Sequence, residues 1–263
     1  MKRFAGSLSL SLVLAVLLAN IAGAATVLYV QDFENPTGFV NDRGDVNLYN
    51  SVNMLYGNQP SGFTFAQQFS IETLLITGTR AFGHGYSDPA GIGGNYCLGM
   101  LADLNSDLLG LAFNVGNKQF LNLKIDISSI DLSVFGGPFV FNNAIPRFEF
   151  TLFDNPSGVV GLTGPTILDV KQVSGVSSAR DVFVWTEAIV PLDASGNTNG
   201  NVILRIDLLS GGYAAFDNMR IAAADIPGDL GTTVPEPSSL IIGATIVALC
   251  VARRRPHQRL GQF

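Results

Sequence analysis

Between residues 25 and 223, short runs of the chain alternate between apolar and polar residues. The alternation is clearest in Leu121–Ile127, Arg147–Leu152 and Asn201–Leu208, and it is less regular in Thr26–Phe33 and Tyr213–Ile221. A period of two places successive side chains on opposite faces of a strand. One apolar and one polar face are typical of antiparallel sheets. We therefore predict β-strands in these five segments.

Clusters of Gly, Pro, Asn and Asp separate these runs and predict turns. They are Asn35-Pro36, Gly136-Gly137-Pro138, Asp154–Gly158, Ser195-Gly196-Asn197 and Ser210-Gly211-Gly212. No segment of this region has a long apolar stripe with the period of a helix. We predict an all-β fold, an antiparallel two-sheet β-sandwich of the jelly-roll type with about ten strands. Asn41–Pro60 and Gly83–Asn95 are expected to be long loops, which are often functional.

The N-terminal segment has the composition of a targeting signal. Met1-Lys2-Arg3 is basic, Leu8–Ile21 is mostly apolar, and Ala22–Ala25 contains only small residues. This order is that of a secretory signal peptide, and we expect cleavage after Ala24 or Ala25. A retained N-terminal membrane helix is the alternative, but the apolar run is short and ends at a processing-like site.

The C-terminal segment Ser238–Ala252 has no charge, is mostly apolar, and is followed by Arg253, Arg254 and Arg255. As a helix it is about 22 Å long, against a hydrocarbon core of about 30 Å. We expect a transmembrane helix that is short for a permanent anchor, although snorkelling arginines and local thinning reduce the mismatch. The basic residues beside both apolar segments suit a positive-inside topology.

Val234, Pro235, Glu236 and Pro237 stand just before this apolar segment. Together with the segment and the arginines, they resemble the PEP-CTERM sorting signal of Gram-negative bacterial proteins. In that family an exosortase-type membrane peptidase recognises and processes the tail. The resemblance implies a transient inner-membrane anchor, followed by a place at the surface or in the extracellular matrix of a biofilm-forming cell that exports exopolysaccharide. An ordinary tail anchor is the alternative.

These segments divide the chain into five parts. Residues 1–24 are expected to be the signal peptide, 25–223 the β-sandwich domain and 224–237 a linker with the Pro-Glu-Pro motif. Residues 238–252 are expected to be the transmembrane sorting helix and 253–263 a basic cytoplasmic tail.

The exported part is strongly acidic. Between residues 25 and 237 there are nine basic and 21 acidic residues, a net charge of −12, although the whole chain carries −6. Nucleic acids and anionic lipids are bound through Lys and Arg, so neither is an expected partner. The two cysteines, Cys97 and Cys250, lie in different compartments of the predicted topology. We predict no intramolecular disulfide and a buried Cys97.

Few side chains of the predicted domain are typical of a catalytic centre. His84 is its one histidine and no Gly-x-Ser-x-Gly motif is present, so a Ser-His-Asp triad is not predicted. Asp126, Glu149 and Asp207 lie on the predicted polar faces of strands, where a solvating role suffices. We expect a protein without enzymatic activity. A secreted glycan-active hydrolase on the same scaffold is the alternative, which two carboxylates lining a cleft on the concave sheet would favour.

A second resemblance joins the two ends of the domain. Gln31-Asp32-Phe33-Glu34-Asn35 ends the first predicted strand, and Ala215–Ile221 lies in the last. These segments resemble elements of jelly-roll carbohydrate-binding modules and galactose-binding-like domains. The resemblance implies a structural Ca²⁺ at Glu34 and Asp217, with Asp32 a weaker candidate. Ca²⁺ takes about six to eight oxygen ligands, and an acidic domain supplies carboxylates. The alternative is a turn at Asp217-Asn218 and a solvated Glu34.

Exposed aromatic rings are the side chains that stack on sugars. Tyr49, Tyr56 and Tyr86 lie in predicted loops and are the candidate ligand-binding residues. The other aromatic residues available are Phe63, Tyr96 and Trp185, of which Trp185 also fits the core. We expect a non-enzymatic envelope or matrix protein that binds polysaccharide, with exopolysaccharide as a candidate partner, or that contributes structure. A purely structural adhesin without a ligand pocket is a further alternative.

Overall fold

The computed structural model describes residues 24–40, 51–57, 63–68, 71–76, 86–101, 107–131 and 143–231. Several predicted features lie outside these residues: both terminal apolar segments, Val234, Pro235, Glu236, Pro237, Arg253, Arg254, Arg255, Tyr49, His84 and Cys250. In the described part of the chain, no helix is long and apolar enough to cross a membrane.

The described residues form eleven strands and one short helix. The elements are β1 (Thr26–Gln31), α1 (Val52–Leu55), β2 (Phe65–Gln68), β3 (Glu72–Leu75), β4 (Tyr96–Leu101), β5 (Leu108–Asn114), β6 (Phe120–Ser129), β7 (Arg147–Asp154), β8 (Ile167–Ser174), β9 (Val184–Asp193), β10 (Asn201–Ser210) and β11 (Tyr213–Ala224). All five segments predicted to be strands contain a strand.

These strands form two sheets. One has six strands in the order β3-β4-β11-β6-β9, with β1 also paired to β11. The other has five strands in the order β2-β5-β10-β7-β8. Every pairing between these strands is antiparallel. The expected all-β, two-sheet sandwich is therefore confirmed.

The hydrophobic core lies between the two sheets and follows the alternation of the sequence. In β6 the apolar residues Leu121, Leu123, Ile125 and Ile127 are fully buried. Phe148, Phe150 and Leu152 of β7 are buried in the same core. Full burial of one such side chain contributes roughly 1.5–3 kcal/mol, so the hydrophobic faces supply most of the driving force for the sandwich.

Strand β10 departs from simple alternation because its outer face is partly covered. Ile203 points away from the core of the sandwich, yet only 2% of its surface is exposed. The loop of residues 155–165 crosses this face, and the side chain of Ile203 lies 3.7 Å from the position that a Cβ of Gly161 would take. Gly110 of β5 lies beneath the same loop, where a side chain would collide with the carbonyl of Gly161. The loop therefore divides the outer face of the five-stranded sheet into two parts.

The segment after β11, predicted to begin a linker, is hydrogen-bonded to the six-stranded sheet. Buried Asn122 donates to the carbonyls of Ile226 and Asp229 at 3.0 and 2.8 Å and accepts from the N–H of Gly228 at 2.8 Å. The guanidinium of Arg220 donates to the carbonyls of residues 230 and 231. The side chains of Asn122 and Arg220, rather than a neighbouring strand, therefore hold residues 226–231 against the sheet.

Candidate functional site

Glu34 and Asp217 lie where the six-stranded sheet divides. Residues 213–216 of β11 pair with β4, whereas residues 219–223 pair with β1. At the change of partner, Asn218 has a positive φ of 51° and the register with β6 shifts. Phe33, beside Glu34, has a φ of 53°. Such backbone is uncommon outside glycine, and here it turns the carboxylates of Glu34 and Asp217 toward one region.

The carboxylate of Glu34 is held where the chain enters β4. It accepts hydrogen bonds from the main-chain N–H of Asn95 at 2.8 Å and of Tyr96 at 3.2 Å, and from the side-chain amide of Asn95 at 3.0 Å. Gly94 has a positive φ of 55°, and a side chain there would overlap the Glu34 carboxylate. Glu34 is therefore fixed in place by main-chain donors.

Asp217 is the most deeply buried of these acidic residues, with 1% of its surface exposed. Its Oδ1 atom accepts a hydrogen bond from the N–H of Asn218 at 2.6 Å. Burial, together with the negative charges of Glu34, Asp126 and Asp32, raises its pKa to about 8, although the hydrogen bond from Asn218 lowers it. These carboxylates act on one another electrostatically, and the ionised form of Asp217 requires a compensating positive charge.

Asp126 was expected to be solvated, and the structure contradicts this. It is 6% exposed and accepts a hydrogen bond at 3.0 Å from Asn218, whose amide also bonds the carbonyl of Ile92. The segment around Ile92 thus crosses the predicted polar face of β6. Burial raises the pKa of Asp126.

The donor set near Asp217 fits Ca²⁺ only with help from the main chain. Among the described residues, no group of three or more His, Cys, Asp or Glu side chains is arranged to hold a metal ion. Glu34 and Asp217 would supply two carboxylates, and carbonyl oxygens would complete a shell of about six to eight ligands. Asp32 is exposed and accepts from the N–H of Glu34 at 3.2 Å, so it caps the turn at this site.

Tyr56, predicted to bind a ligand, belongs to the core instead. It is 4% exposed, its ring packs edge-on against Phe33 at 5.2 Å, and its hydroxyl donates to the carbonyl of Phe33 at 3.0 Å. Helix α1 folds this segment back onto the sandwich, so the ring has no face available to a sugar.

Tyr86 and Trp185 lie on the outer side of the six-stranded sheet. Both are half-buried and pack against buried Phe183, each with a centroid distance of 5.3 Å. The Trp185 ring lies so close to Gly93 that a side chain at that position would overlap it. These rings belong mainly to a small second core, which includes the buried Cys97 expected from the sequence.

Phe63 and the buried Phe113 are aromatic residues that line a cavity. The cavity measures about 400 Å³, and its lining includes Phe63, Asn114, Gly158, Val159, Val160 and Asn201. The Phe63 ring is half-buried and stacks on Tyr29 at 4.5 Å. The Asn114 side-chain amide donates to the side-chain Oδ1 of Asn201 at 2.8 Å. A fixed aromatic ring beside side-chain amides combines apolar surface with hydrogen-bonding groups, as sugar recognition requires.

On the other side of the 155–165 loop, charged side chains gather on the same sheet. Asp207 of β10 is directly opposite Glu149 of β7. Glu149 accepts from the Gln172 amide at 2.9 Å and from the Thr151 hydroxyl at 3.3 Å, and the Arg205 guanidinium lies 3.6 Å away.

Glu149 and Asp207 were expected to be simply solvated, and both are half-buried. The Nε of Arg205 and the Oδ1 of Asp207 are buried without a hydrogen-bond partner. Each such atom costs about 1–3 kcal/mol. Alternation places these side chains on polar faces, but only the pairing of distant strands brings them together.

No known family model matches the sequence, and no curated protein matches it. Similar solved structures include a Paenibacillus barcinonensis CBM22-1 xylan-binding domain, at 11% identity and a TM-score of 0.40 over 77% of this chain and 97% of that one. The module TmCBM61, solved with β-1,4-galactotriose, is 8% identical with a TM-score of 0.34, and the match covers 61% of this chain and 88% of that module. The Porphyromonas gingivalis Lys-gingipain K3 adhesin domain is 12% identical with a TM-score of 0.37, and the match covers 75% of this chain and 100% of that domain. Sequence identities and TM-scores this low assign neither a family nor a ligand to this chain.

The buried proton of Asp217 predicts how stability depends on pH. Without metal, folded Asp217 keeps its proton up to a pH of about 8, whereas in the unfolded chain it ionises near a pH of about 3.9. Between these values the unfolded state binds fewer protons, so the free energy of unfolding falls as pH rises, by about 1.4 kcal/mol per pH unit at most. Above pH 8 this loss is complete.

Asp217→Asn removes this titration. In a chelating buffer we expect the variant to be more stable than the native protein at pH 7 and to lose most of this slope between pH 4 and 8. Thermal unfolding followed by circular dichroism measures both. Asp32→Asn, at an exposed position, is the matched control and should keep most of the slope. An unchanged slope in Asp217→Asn would show that another group holds the proton.

Proposed function

We propose that this is an exported, non-enzymatic protein of the envelope or extracellular matrix that binds polysaccharide. The cavity at Phe63 carries this proposal. Its volume of about 400 Å³ is within the range of small-molecule sites, roughly 300–1,000 Å³. Phe63 offers a ring already fixed by Tyr29, so little side-chain entropy is lost when a sugar packs against it.

The polar lining of the cavity supports the same proposal. Asn114 and Asn201 are joined by one hydrogen bond, which orients the two amides before a ligand arrives. Amides both donate and accept, as sugar hydroxyls do. Val159 is 64% exposed and extends the apolar side of the cavity, on which the carbon face of a sugar ring can rest.

Replacing the ring of Phe63 tests the site. We expect Phe63→Leu to weaken polysaccharide binding about two- to tenfold, because stacking of this kind contributes about 0.5–1.5 kcal/mol beyond burial. Isothermal titration calorimetry with soluble oligosaccharides of xylan, galactan and glucan measures the change.

Tyr86→Ala is the matched control, since Tyr86 is a half-buried aromatic residue on the other sheet. It should bind as the native protein does. Loss of binding in Tyr86→Ala with none in Phe63→Leu would overturn the assignment to this cavity. Unfolding curves of both variants distinguish lost binding from lost structure.

The two chain ends support export and sorting. We propose that the signal peptide is removed and that the tail from Val234 anchors the chain transiently in the inner membrane. An exosortase-type peptidase would then process it at the Pro-Glu-Pro motif and release the domain to the cell surface or matrix. The support is the order of motif, apolar segment and arginines in the sequence.

Intact-mass spectrometry of the native protein tests this route. We expect a mature product that ends near Pro235–Pro237 and lacks Cys250 and the arginines. A variant with Pro235→Ala and Pro237→Ala should keep the tail. An intact Phe263 terminus in the native protein would contradict the proposal.

We further propose that Glu34 and Asp217 hold a structural Ca²⁺, with Asp32 at the edge of the site. The supporting observation is that Asp217 is 1% exposed and that the negative charges of three acidic residues, Glu34, Asp126 and Asp32, raise its pKa. A divalent cation would supply the missing positive charge and join the end of β1 to β11.

Added Ca²⁺ should raise the melting temperature of the native protein by several degrees over its value in chelator, because a ligand that binds only the folded state stabilises it. Asp217→Asn should not respond. Mg²⁺ is the control cation, since it requires a tighter and more regular shell. An unchanged melting curve of the native protein in Ca²⁺ would contradict this site.

The hydrolase alternative has one observation in its favour, the opposed pair Glu149 and Asp207. Glycosidases use two carboxylates, one of which must attack the sugar or activate water. Both oxygens of Glu149 already accept hydrogen bonds, from Thr151 and from Gln172. Each oxygen keeps a second lone pair, so these bonds hold the carboxylate in place for contacts with a ligand.

A further inference from the structure

A row of side chains crosses all five strands of the second sheet. Strand register places Gln68 beside Leu108, Leu108 beside Asp207, Asp207 beside Glu149, and Glu149 beside Gln172. We call these five residues the transverse row. With strands about 4.8 Å apart, the row is roughly 19 Å long. It is separated from the Phe63 cavity by the 155–165 loop.

The charges in and beside the transverse row are balanced. Arg205 lies two residues from Asp207 on the same face of β10, and Arg147 lies two residues from Glu149 on the same face of β7. Two positive and two negative groups therefore share this face. The alternation of sign leaves no net charge to attract a charged polymer.

Two charged side chains, Arg205 beside the row and Glu149 within it, are held before any ligand binds. The guanidinium of Arg205 lies 5.2 Å from the centre of the Phe153 ring and donates to the Thr151 hydroxyl at 3.3 Å. Glu149 is fixed by Gln172 and Thr151. Such fixed groups bind with little further loss of side-chain freedom.

Hydrogen bonding in and beside the row is incomplete. The Nε of Arg205 lacks an acceptor and the Oδ1 of Asp207 lacks a donor. The side chains of Arg205 and Glu149 still reach the surface, with 20% and 19% exposed. The Nε and Oδ1 atoms are themselves buried, so the groups offered to a ligand are the exposed parts of Arg205, Glu149 and Gln172. Together these groups donate and accept, and sugar hydroxyls do both. A carboxylate can only accept and an ammonium group can only donate.

We propose that the transverse row is a second polysaccharide-binding site, which takes an extended, uncharged glycan chain and discriminates against acidic polymers. This inference rests on the proposed function, and it assigns the ligand class. The net charge of −12 between residues 25 and 237 adds a general repulsion toward polyuronates. Because an uncharged chain makes no charge–charge interaction that salt could screen, its binding there is insensitive to salt.

Affinity electrophoresis and calorimetry with four polymers test the ligand class. The probes are soluble xylan and mixed-linkage β-glucan as neutral chains, polygalacturonate as the acidic chain and chitosan as the basic one. We expect a neutral chain to bind with an affinity that changes less than twofold between low and high salt. Polygalacturonate should not bind, and any retention by chitosan should disappear in high salt. Tight, salt-resistant binding of polygalacturonate would overturn the inference.

Variants of the row test the site. Glu149→Gln, Asp207→Asn and Gln172→Ala should each weaken binding of the neutral chain at least fivefold. Gln172 is exposed on edge strand β8, so its replacement leaves the fold intact. Glu187→Gln is the matched control, since Glu187 also pairs with a cation, Lys124, but on the outer face of the other sheet. It should bind like the native protein.

The outcomes separate the two proposals. If Phe63→Leu loses binding and the three row variants keep it, the row is not a binding site, while polysaccharide binding at the cavity stands. If no polymer of any charge binds the native protein, the proposed function itself is overturned.

Discussion

The pairing of β11 with three other strands is the constraint on which the six-stranded sheet depends. One edge of β11 pairs with β6 along most of its length, and the other pairs first with β4 and then with β1. A strand that changes partner needs a local break in its backbone, which Asn218 provides with its positive φ. The break brings the start of the domain against its end, and it places a carboxylate where water is excluded.

Two sets of charges, one buried and one half-buried, lie on opposite faces of the sandwich and are stabilised in different ways. Asp217 lies among acidic residues, so its buried carboxyl group is stabilised either by keeping its proton or by binding a cation. Glu149 lies beside Arg205 and accepts two hydrogen bonds. Burying a charge without such partners is costly. The first set depends on pH, whereas the second is neutralised by side chains of its own sheet.

The sequence predicted the fold well where apolar and polar residues alternate on a half-buried strand. Leu121–Ile127 and Arg147–Leu152 lie within strands β6 and β7. Two of the elements without a prediction, β2 and β3, have four residues each and are too short to show a period. Strand β8 lies at the edge of its sheet and is largely exposed, so it has no apolar face to recognise.

The candidate sites were less predictable because long-range pairing creates them. Glu149 and Asp207 are 58 residues apart in the chain and meet only through strand register. Asp126 was expected to be solvated because alternation does not show that the segment near Ile92 crosses its face. Tyr56 was expected in an exposed loop because α1 has a single turn, too short to show an apolar stripe. Glu34 and Asp217 were predicted to lie together because of a resemblance to known domains. The alternation of apolar and polar residues does not predict this.

The core connects the two faces through aromatic rings. Phe33, next to Glu34, packs edge-on against Phe216, and Phe216 packs edge-on against Phe148, the neighbour of Glu149. All three rings are fully buried. Because a close-packed interior resists displacement, a change in the backbone at Asp217 is resisted by the same rings that support β7. The order of the acidic site therefore contributes to the rigidity of the sheet that carries the proposed glycan contacts, even though no charged group of one site touches the other.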